Sequence, residues 1–562
     1  MNPSRRKFIR QAGATMTGLM LADTVRPNDL HTRPSGKGEA PLFPGLIPWP
    51  TSVKSLASPP FAVSNGTTID ASHAGPQASE LTTYFIATVR QRLGLHLLAT
   101  RNGLHRHTIT LRLMAAPIHT GPHWRQMEAY RLVVLPDGRG ITVSSSHAHG
   151  LFNGIVTLLQ LVRRGPGGGW EVPATHIEDF PRLRWRGYML DVSGMFFDVG
   201  EVKQLIDAMA LLKLNIFHWH LTDNFGWRVA IDKYPRLTTI GAWRPGIGFG
   251  FPRSASRHFN AKGLYGGFYT QADIRAVVAY AAKRHIIVVP EIEMPGHCIA
   301  AVRAYPWLAC SNNAHSIPRK YPTMDPSKPK VFDFLSEVLG RTAEMFSGPY
   351  LHTGGDEVDY CNWQNSNDCQ ALIRRLRLEP APGQYEWRER YVRPGNIDIK
   401  LMEALQGYFE DRISRIVTAL GRQMISWHSS PHLSPPGMIA MDWHSKSPLN
   451  VAAAMAESGH QVVRCPAKYL YFDYPLKWTS LQRVYSFDPD WPGLAATQRP
   501  RLLGAQANLW TGHVPNLSAL WRQTFPRLCA AAEVFWTLQR RRNWLDFQRR
   551  LAAFAIPQYH GS

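Results

Sequence analysis

The sequence predicts an α/β protein, a (β/α)8 barrel of TIM type preceded by a small α+β domain. Three observations carry this. Beyond Arg184, short apolar stretches alternate with helical ones over roughly 350 residues, a rhythm that suits an eightfold barrel with inserted loops. Polar side chains gather where those apolar stretches end, which is where such barrels carry their chemistry. Ahead of them, paired strands run into one apolar helix, the pattern of a separate α+β unit.

Taken in order, "SRRKFIR" and the mildly apolar stretch after it resemble a twin-arginine export signal over residues 1–25, with Arg5 and Arg6 as the pair. The competing reading is a basic amphipathic helix. Export predicts a periplasmic or secreted protein. Residues 26–58 are rich in Pro, Gly, Ser and Thr and read as a flexible lead-in. A first folded unit is expected over 59–179. Its strands are "HTITLRL" and the two halves of "YRLVVLPDGRGITVSS" around a Pro-Asp-Gly turn, followed by a helix with Leu151, Ile155, Leu158 and Leu159 on one face. "RRGPGGGW" is glycine-rich, but it lacks the preceding strand and the Lys-Ser/Thr of a phosphate cradle.

The barrel is expected over 180–556. Its eight strand candidates are "RGYMLDV", "NIFHWHL", "HIIVVPEI", "YLHTGG", "QMISW", "MIAMDW", "QVVRC" and "LLGAQANLW". Val202, Leu205, Ile206 and Met209 mark one face of the helix after the first strand. A doubly wound open sheet is the alternative, but no G-x-G-x-x-G follows the first strand.

The totals agree with a globular chain of more than one domain: 562 residues, 44% hydrophobic and 19% charged. The formal charge of +22 favours anionic surroundings. The arginines are nevertheless scattered, and no nucleic-acid-binding signature is present, so a nucleic-acid partner is not expected. No stretch is long and apolar enough to insert stably in a bilayer. Six cysteines show no metal-like spacing and read as buried free thiols, with Cys361 and Cys369 close enough in sequence to meet in a loop.

The strand ends carry an unusual polar set. The first brings Asp191, with Arg186 near its start. The second brings His218, His220, Asp223 and Asn224, and the third Glu291, Glu293 and His297. The fourth delivers the adjacent pair Asp356 and Glu357. Trp427, Trp443 and Trp510 end the fifth, sixth and eighth, and "YLYFDY" supplies Tyr471 and Asp473. Indole faces beside carboxylates suit sugar rings, whose apolar faces stack while their hydroxyls need polar partners. Any one of these tryptophans alone would read equally well as core. His218 and His220, at i and i+2, point to one side of a strand as metal ligands do. Without a third ligand at motif spacing they read as structural, and no metal is expected.

With these residues assembled, the chain resembles glycoside hydrolase family 20, the β-N-acetylhexosaminidases. The resemblance rests on "RGYMLDVSGMFF", "LNIFHWHLTDNFGWR", "PEIEMPGH", "HTGGDEV", "LLGAQANLW" and "FPRLCAAAEVFW". It implies a glycan substrate, no cofactor, and a substrate-assisted retaining mechanism in which the sugar's own acetamido group is the nucleophile. On that likeness Asp356 is ionised and orients the acetamido group, and Glu357 is the general acid and base. Arg186 binds ring hydroxyls, Tyr471 donates to the acetamido carbonyl, and Asp473 meets a further hydroxyl. Trp427, Trp443 and Trp510 line the site, with Asp223 and His297 in a network supporting Glu357. Adjacency to a negative charge is expected to help Glu357 keep its proton.

The sequence departs from the family pattern at Asn224, His428 and Gly512, where acids are usual. The loss at Gly512 bears on hydroxyl recognition. It keeps open two other readings: a non-catalytic binder of amino-sugar polymers, and an enzyme with altered sugar preference.

Overall fold

The computed structural model describes residues 43–100, 107–135, 138–310, 321–381, 397–427, 430–431, 433–444 and 450–557. The export-like segment, the Pro-Asp of the expected turn, and His428 lie outside the described residues.

Eight parallel strands close into a barrel in chain order: β1 (Trp185–Asp191), β2 (Ile216–His220), β3 (Ile287–Glu291), β4 (Tyr350–His352), β5 (Gln423–Ser426), β6 (Ile439–Asp442), β7 (Gln461–Arg464) and β8 (Leu502–Leu509). Parallel strands enclosed on both faces read as apolar runs, and all eight expected stretches take their places. The helix Val199–Leu211 follows β1. Asp198 and Glu201 close a capping box at its start, and Val202, Leu205, Ile206 and Met209 are buried, as their spacing predicts. Register sets the site. Asp191 stands opposite His220, His220 opposite Glu291, and Glu291 opposite His352, so one layer of polar residues crosses the first four strands.

The first domain is a mixed seven-stranded sheet whose buried helix Ala148–Leu161 packs on it. Residues 43–58, read from composition as part of a flexible lead-in, are instead built into the fold. Ser52–Ser55 is an edge strand of the sheet, and Phe43, Leu46 and Ile47 are buried. The Ile47 N–H donates to Gln160 Oε1 (2.8 Å) and the Trp49 N–H to Glu533 Oε2 (3.0 Å), so this stretch straps both domains. Proline and glycine mimic a linker in composition, while the few apolar residues between them do the anchoring.

Arg186 lies in this interface, away from the site expected of it. As the second residue of β1 it sits at the amino end of the barrel, opposite the chemistry. Its guanidinium pairs with both oxygens of Glu128, from the first domain. It also donates to the carbonyls of Leu183 (2.8 Å) and Lys213 (2.9 Å) and faces the Trp536 ring. A second buried pair stands beside it, with Lys213 Nζ 3.1 Å from Asp179 Oδ2. Arg186→Ala leaves Glu128 buried without its partner and is expected to cost about 3–5 kcal/mol. Denaturant unfolding at neutral pH measures this.

Candidate active site

The acid pair sits just past β4, on a turn made by unusual backbone. Gly354 and Gly355 have φ of 64° and 100°, and Glu357, a non-glycine residue, has φ of 45°. Left-handed conformations at ordinary residues are strained and persist only when surroundings hold them. Here Gly354 O accepts from the Trp427 N–H (2.9 Å) and Ser426 Oγ (2.8 Å), and Gly355 O accepts from Gln406 Nε2 (2.7 Å). Glycine at 354 also has a steric reason. A Cβ there would overlap the carboxylate oxygen Oε2 of Glu293.

Beneath the pair lies a chain of alternating charge. Glu291, fully buried, receives Trp427 Nε1 (2.5 Å) and faces His218 Nε2 (3.0 Å), His352 Nδ1 (3.0 Å) and His220 Nδ1. Burial works against the charge on Glu291, but the surrounding imidazoles win and hold its carboxyl well below the usual range. Burial likewise opposes a charged His220, and Glu291 with Asp223 overcomes it, raising His220 well above its ordinary value. His218 goes the other way, down to about 4, because burial dominates there. The next link is Asp223, whose Oδ2 lies 3.4 Å from His220 Nε2 and whose Oδ1 lies 3.1 Å from His297 Nδ1. His297 Nε2 then faces both acids, 3.8 Å from Asp356 Oδ2 and 3.6 Å from Glu357 Oε2. Despite burial, Asp223 and Asp356 hold His297 well above the usual histidine value, so an imidazolium stands against the pair. The repulsion expected between two adjacent acids is thus moderated by a cation, and adjacency alone does not place the proton.

Glu293 adds a further carboxyl to the site, from just past the end of β3. Its Oε2 and Asp356 Oδ1 are both buried, and neither has a hydrogen-bond donor among the described residues. Burial first, then the charges of Asp356 and Glu291, push Glu293 well above the carboxylate range. A proton retained on Glu293 would supply the donor that Asp356 Oδ1 lacks among the described residues. The signal in sequence was Glu291 and Glu293, two apart at a strand end, but their partners come from other strands.

The remaining predicted residues form the walls. The buried Trp427 ring lies 6.2 Å from that of Trp510, and Trp443 Nε1 donates to Trp427 O (3.3 Å). Tyr471, 6.2 Å from Trp510 between ring centres, is buried. Burial and the charges of Cys465, Tyr474, Asp356 and Asp473 keep its phenol protonated far above the usual range, so its hydroxyl remains a donor. The Tyr471–Tyr474 turn is fixed by Arg527, which donates to the carbonyls of Phe472, Tyr474 (3.1 Å) and Thr479 (3.2 Å). Asp191, at the end of β1, accepts from the N–H (3.0 Å) and Oγ1 (3.0 Å) of Thr511, tying the first strand to the loop after the last. Asn224, an amide where an acid was expected, lies beside the same ring, with Nδ2 3.0 Å from His297 Nδ1, while its Oδ1 accepts from the Ile299 N–H (3.3 Å). At Gly512 the Phe249 ring lies 3.3 Å from where a Cβ would stand.

Of the predicted site residues, Asp356, Glu357, Asp223, His297, Tyr471, Asp473, Trp427, Trp443 and Trp510 come together at the carboxyl end of the barrel, and Arg186 does not. His218, Glu291 and His352 approach one another closely enough to hold an ion. However, Glu291 already meets three imidazoles and an indole N–H, which closes the cluster on itself.

Paired carboxylates under tryptophan walls at the carboxyl end of a (β/α)8 barrel form the class of site that suits a sugar ring. The family model "Glycosyl hydrolase family 20, catalytic domain" matches residues 183–539, and "Glycosyl hydrolase family 20, domain 2" matches residues 44–180. The chain belongs to glycosyl hydrolase family 20. It is similar to a beta-hexosaminidase of Porphyromonas gingivalis, 34% identical over 446 residues covering 74% of this chain and 52% of the relative. A beta-hexosaminidase of Vibrio furnissii is 34% identical over 72% of this chain and 64% of its own. This chain therefore spans between half and two thirds of those relatives' length. Among solved structures, the exo β-N-acetylglucosaminidase of Vibrio harveyi in complex with N-acetylglucosamine superposes with a TM-score of 0.77 at 29% identity, covering 93% of this chain and 78% of that one. The β-N-acetylhexosaminidase of Streptomyces coelicolor A3(2) gives 0.71 at 31%, covering 92% and 97%.

Two outcomes are expected. Gly354→Ala meets both the Glu293 carboxyl and a positive φ, and should lower stability by roughly 2 kcal/mol or more, read from denaturant midpoints. The Asp223–His297 pair makes a pH-dependent contribution. The depressed Asp223 contributes above its unfolded value of 3.8 and loses this as pH falls through its folded value. The raised His297 contributes below 6.5 and loses this as pH rises through its folded value. Asp223→Asn should therefore destabilise most between about pH 4 and 6.5. NMR should show the His297 ring of the parent protein still protonated above pH 6.5.

Proposed function

We propose that this protein is an exported, exo-acting β-N-acetylhexosaminidase, removing terminal β-linked N-acetylglucosamine or N-acetylgalactosamine with retention of configuration. The observation that carries the reading is the convergence of Asp356, Glu357 and the proton-holding Tyr471 hydroxyl on a site walled by three tryptophans. The named activities of the Porphyromonas, Vibrio and Streptomyces relatives support it.

In this reading the acetamido oxygen of the bound sugar attacks the anomeric carbon while Glu357 passes a proton to the departing glycosidic oxygen. Asp356 accepts the acetamido N–H and stabilises the positive charge growing on the oxazolinium ring, and Tyr471 donates to the acetamido oxygen. Glu293 holds Asp356 in place by its retained proton. Water then opens the ring at the anomeric carbon, giving its proton to Glu357, which returns to its starting state. Asp473 meets a hydroxyl at the sugar's far edge. His297, charged and anchored by Asp223, fixes the position of Glu357. The steps as written require no cofactor.

Export rests on Arg5 and Arg6 in the amino-terminal segment. A second reading, altered sugar preference, is favoured by Phe249 packing against Gly512, which puts a ring beside the position where family members often carry an acid.

Purified protein should release the chromophore from an aryl β-N-acetylglucosaminide and be inhibited by a thiazoline mimic of the intermediate. Glu357→Gln should lose about 10²–10⁴-fold in kcat. Binding of both aryl amino sugars without turnover of either would sink the proposal. A glycan panel with product identification separates single-sugar release from an altered preference.

A further inference from the structure

All six cysteines are unbridged in the structure. Two of them, 59 residues apart in sequence, have converged, with Cys310 Sγ 3.8 Å from Cys369 Sγ. Each backbone is pinned independently of its sulfur. Ala309 bridges Met324, and the Cys310 N–H donates to Thr323 O (3.3 Å). Cys369 lies in the first turn of the helix Asn367–Leu376, where its N–H donates to the capping Ser366 Oγ (3.3 Å). Both sulfurs belong to a small apolar cluster with Val358, Tyr360, Trp363 and Leu372, and Val358 directly follows Glu357.

We propose that Cys310 and Cys369 form a modification site, oxidised after folding to a disulfide that ties the segment beyond β3 to the helix following the acid pair. A separation of 3.8 Å is thiol contact distance. A bond of about 2.05 Å requires further approach of the two sulfurs, which side-chain rotation can supply where the backbones are already placed. Cys310 is half-buried and Cys369 buried, so an incoming reagent meets Cys310 first. The oxidant is a small-molecule or protein disulfide. The Cys310 thiolate attacks one of its sulfurs, expelling one thiolate and leaving a mixed disulfide. The Cys369 thiolate then attacks Cys310 Sγ and expels the second. Two protons and two electrons leave the pair, and the oxidant departs as two thiols.

The surroundings favour a lasting cross-link. Contact with Cys369 and burial raise the Cys310 thiol far above its usual range, which slows formation but also makes it a poor leaving group in reduction. They also favour a bond over a bound ion. Asp325 approaches both sulfurs closely enough to complete a three-ligand cluster. Its Oδ1, however, already accepts from the Ser327 N–H (2.9 Å) and Oγ (2.6 Å), and its Oδ2 faces Lys328 Nζ at 3.1 Å. That ammonium already supplies the carboxylate with a cation.

The test uses the full chain, incubated with oxidised glutathione or with a thiol reductant, then denatured, alkylated and mapped by mass spectrometry. The expected result is a linked Cys310–Cys369 peptide in the oxidised sample, with the other four cysteines alkylated. The oxidised form should melt roughly 2–5 °C higher than the reduced one. That difference should vanish in Cys310→Ser and in Cys369→Ser and persist in Cys361→Ser. Six alkylated cysteines after oxidation, a Cys361–Cys369 link, or stoichiometric zinc lost in Cys310→Ser would each overturn the proposal.

Discussion

One buried carboxylate, Glu291, holds the centre of the molecule. It ends β3, yet the groups that meet it come from β2, β4 and the end of β5, so four consecutive strands converge on two oxygen atoms. His220 and His352 stand directly opposite Glu291 in the register, while His218 reaches it from two residues earlier on β2 and Trp427 from two residues beyond the residue opposite His352. Buried ion pairs are seldom net sources of stability compared with well-packed apolar residues. What this layer supplies is orientation: its imidazoles and indole are aimed, and one of them, His220, is the first link toward the acid pair. His220 passes the arrangement to Asp223, Asp223 to His297, and His297 to both acids.

Strain accumulates where that chain of charge ends. Glu357 and His297 both have left-handed backbone, in segments that follow different strands, and their side chains face each other. Such conformations are held by their surroundings. Around Glu357 those surroundings are visible as hydrogen bonds to the two preceding glycines, from Gln406, Ser426 and Trp427. The same turn that separates two adjacent acids leaves space for the Glu293 carboxyl at Gly354, so backbone shape and proton placement have a common cause.

The barrel was legible because parallel strands buried on both faces write themselves as apolar runs, and their ends collect the polar residues. Nine of the ten residues expected at the site lie together at that end of the barrel. The tenth, Arg186, lies elsewhere for a reason also present in the sequence: it stands near the start of a strand, and the acid pair lies where strands finish. The network around Glu291 was only half legible. His218, His220 and Glu291 stood out individually, but pairing them requires knowing which strands are neighbours. Residues 43–58 look like a linker because composition records prolines and glycines and cannot show that Phe43, Leu46 and Ile47 find a core.

Arg186 and Lys213 have a further meaning for how this chain can be divided. Both are cations deep within the barrel's amino end, and both find their negative partners, Glu128 and Asp179, outside the strands of the barrel. The smaller domain thus serves as the counter-ion of the larger one. A barrel severed near residue 183 would retain two positive charges in an apolar setting with their compensation removed. The domain boundary is a seam in topology but not in electrostatics, and exchange of the smaller domain between relatives would have to preserve its two acids to leave the barrel neutral at that end.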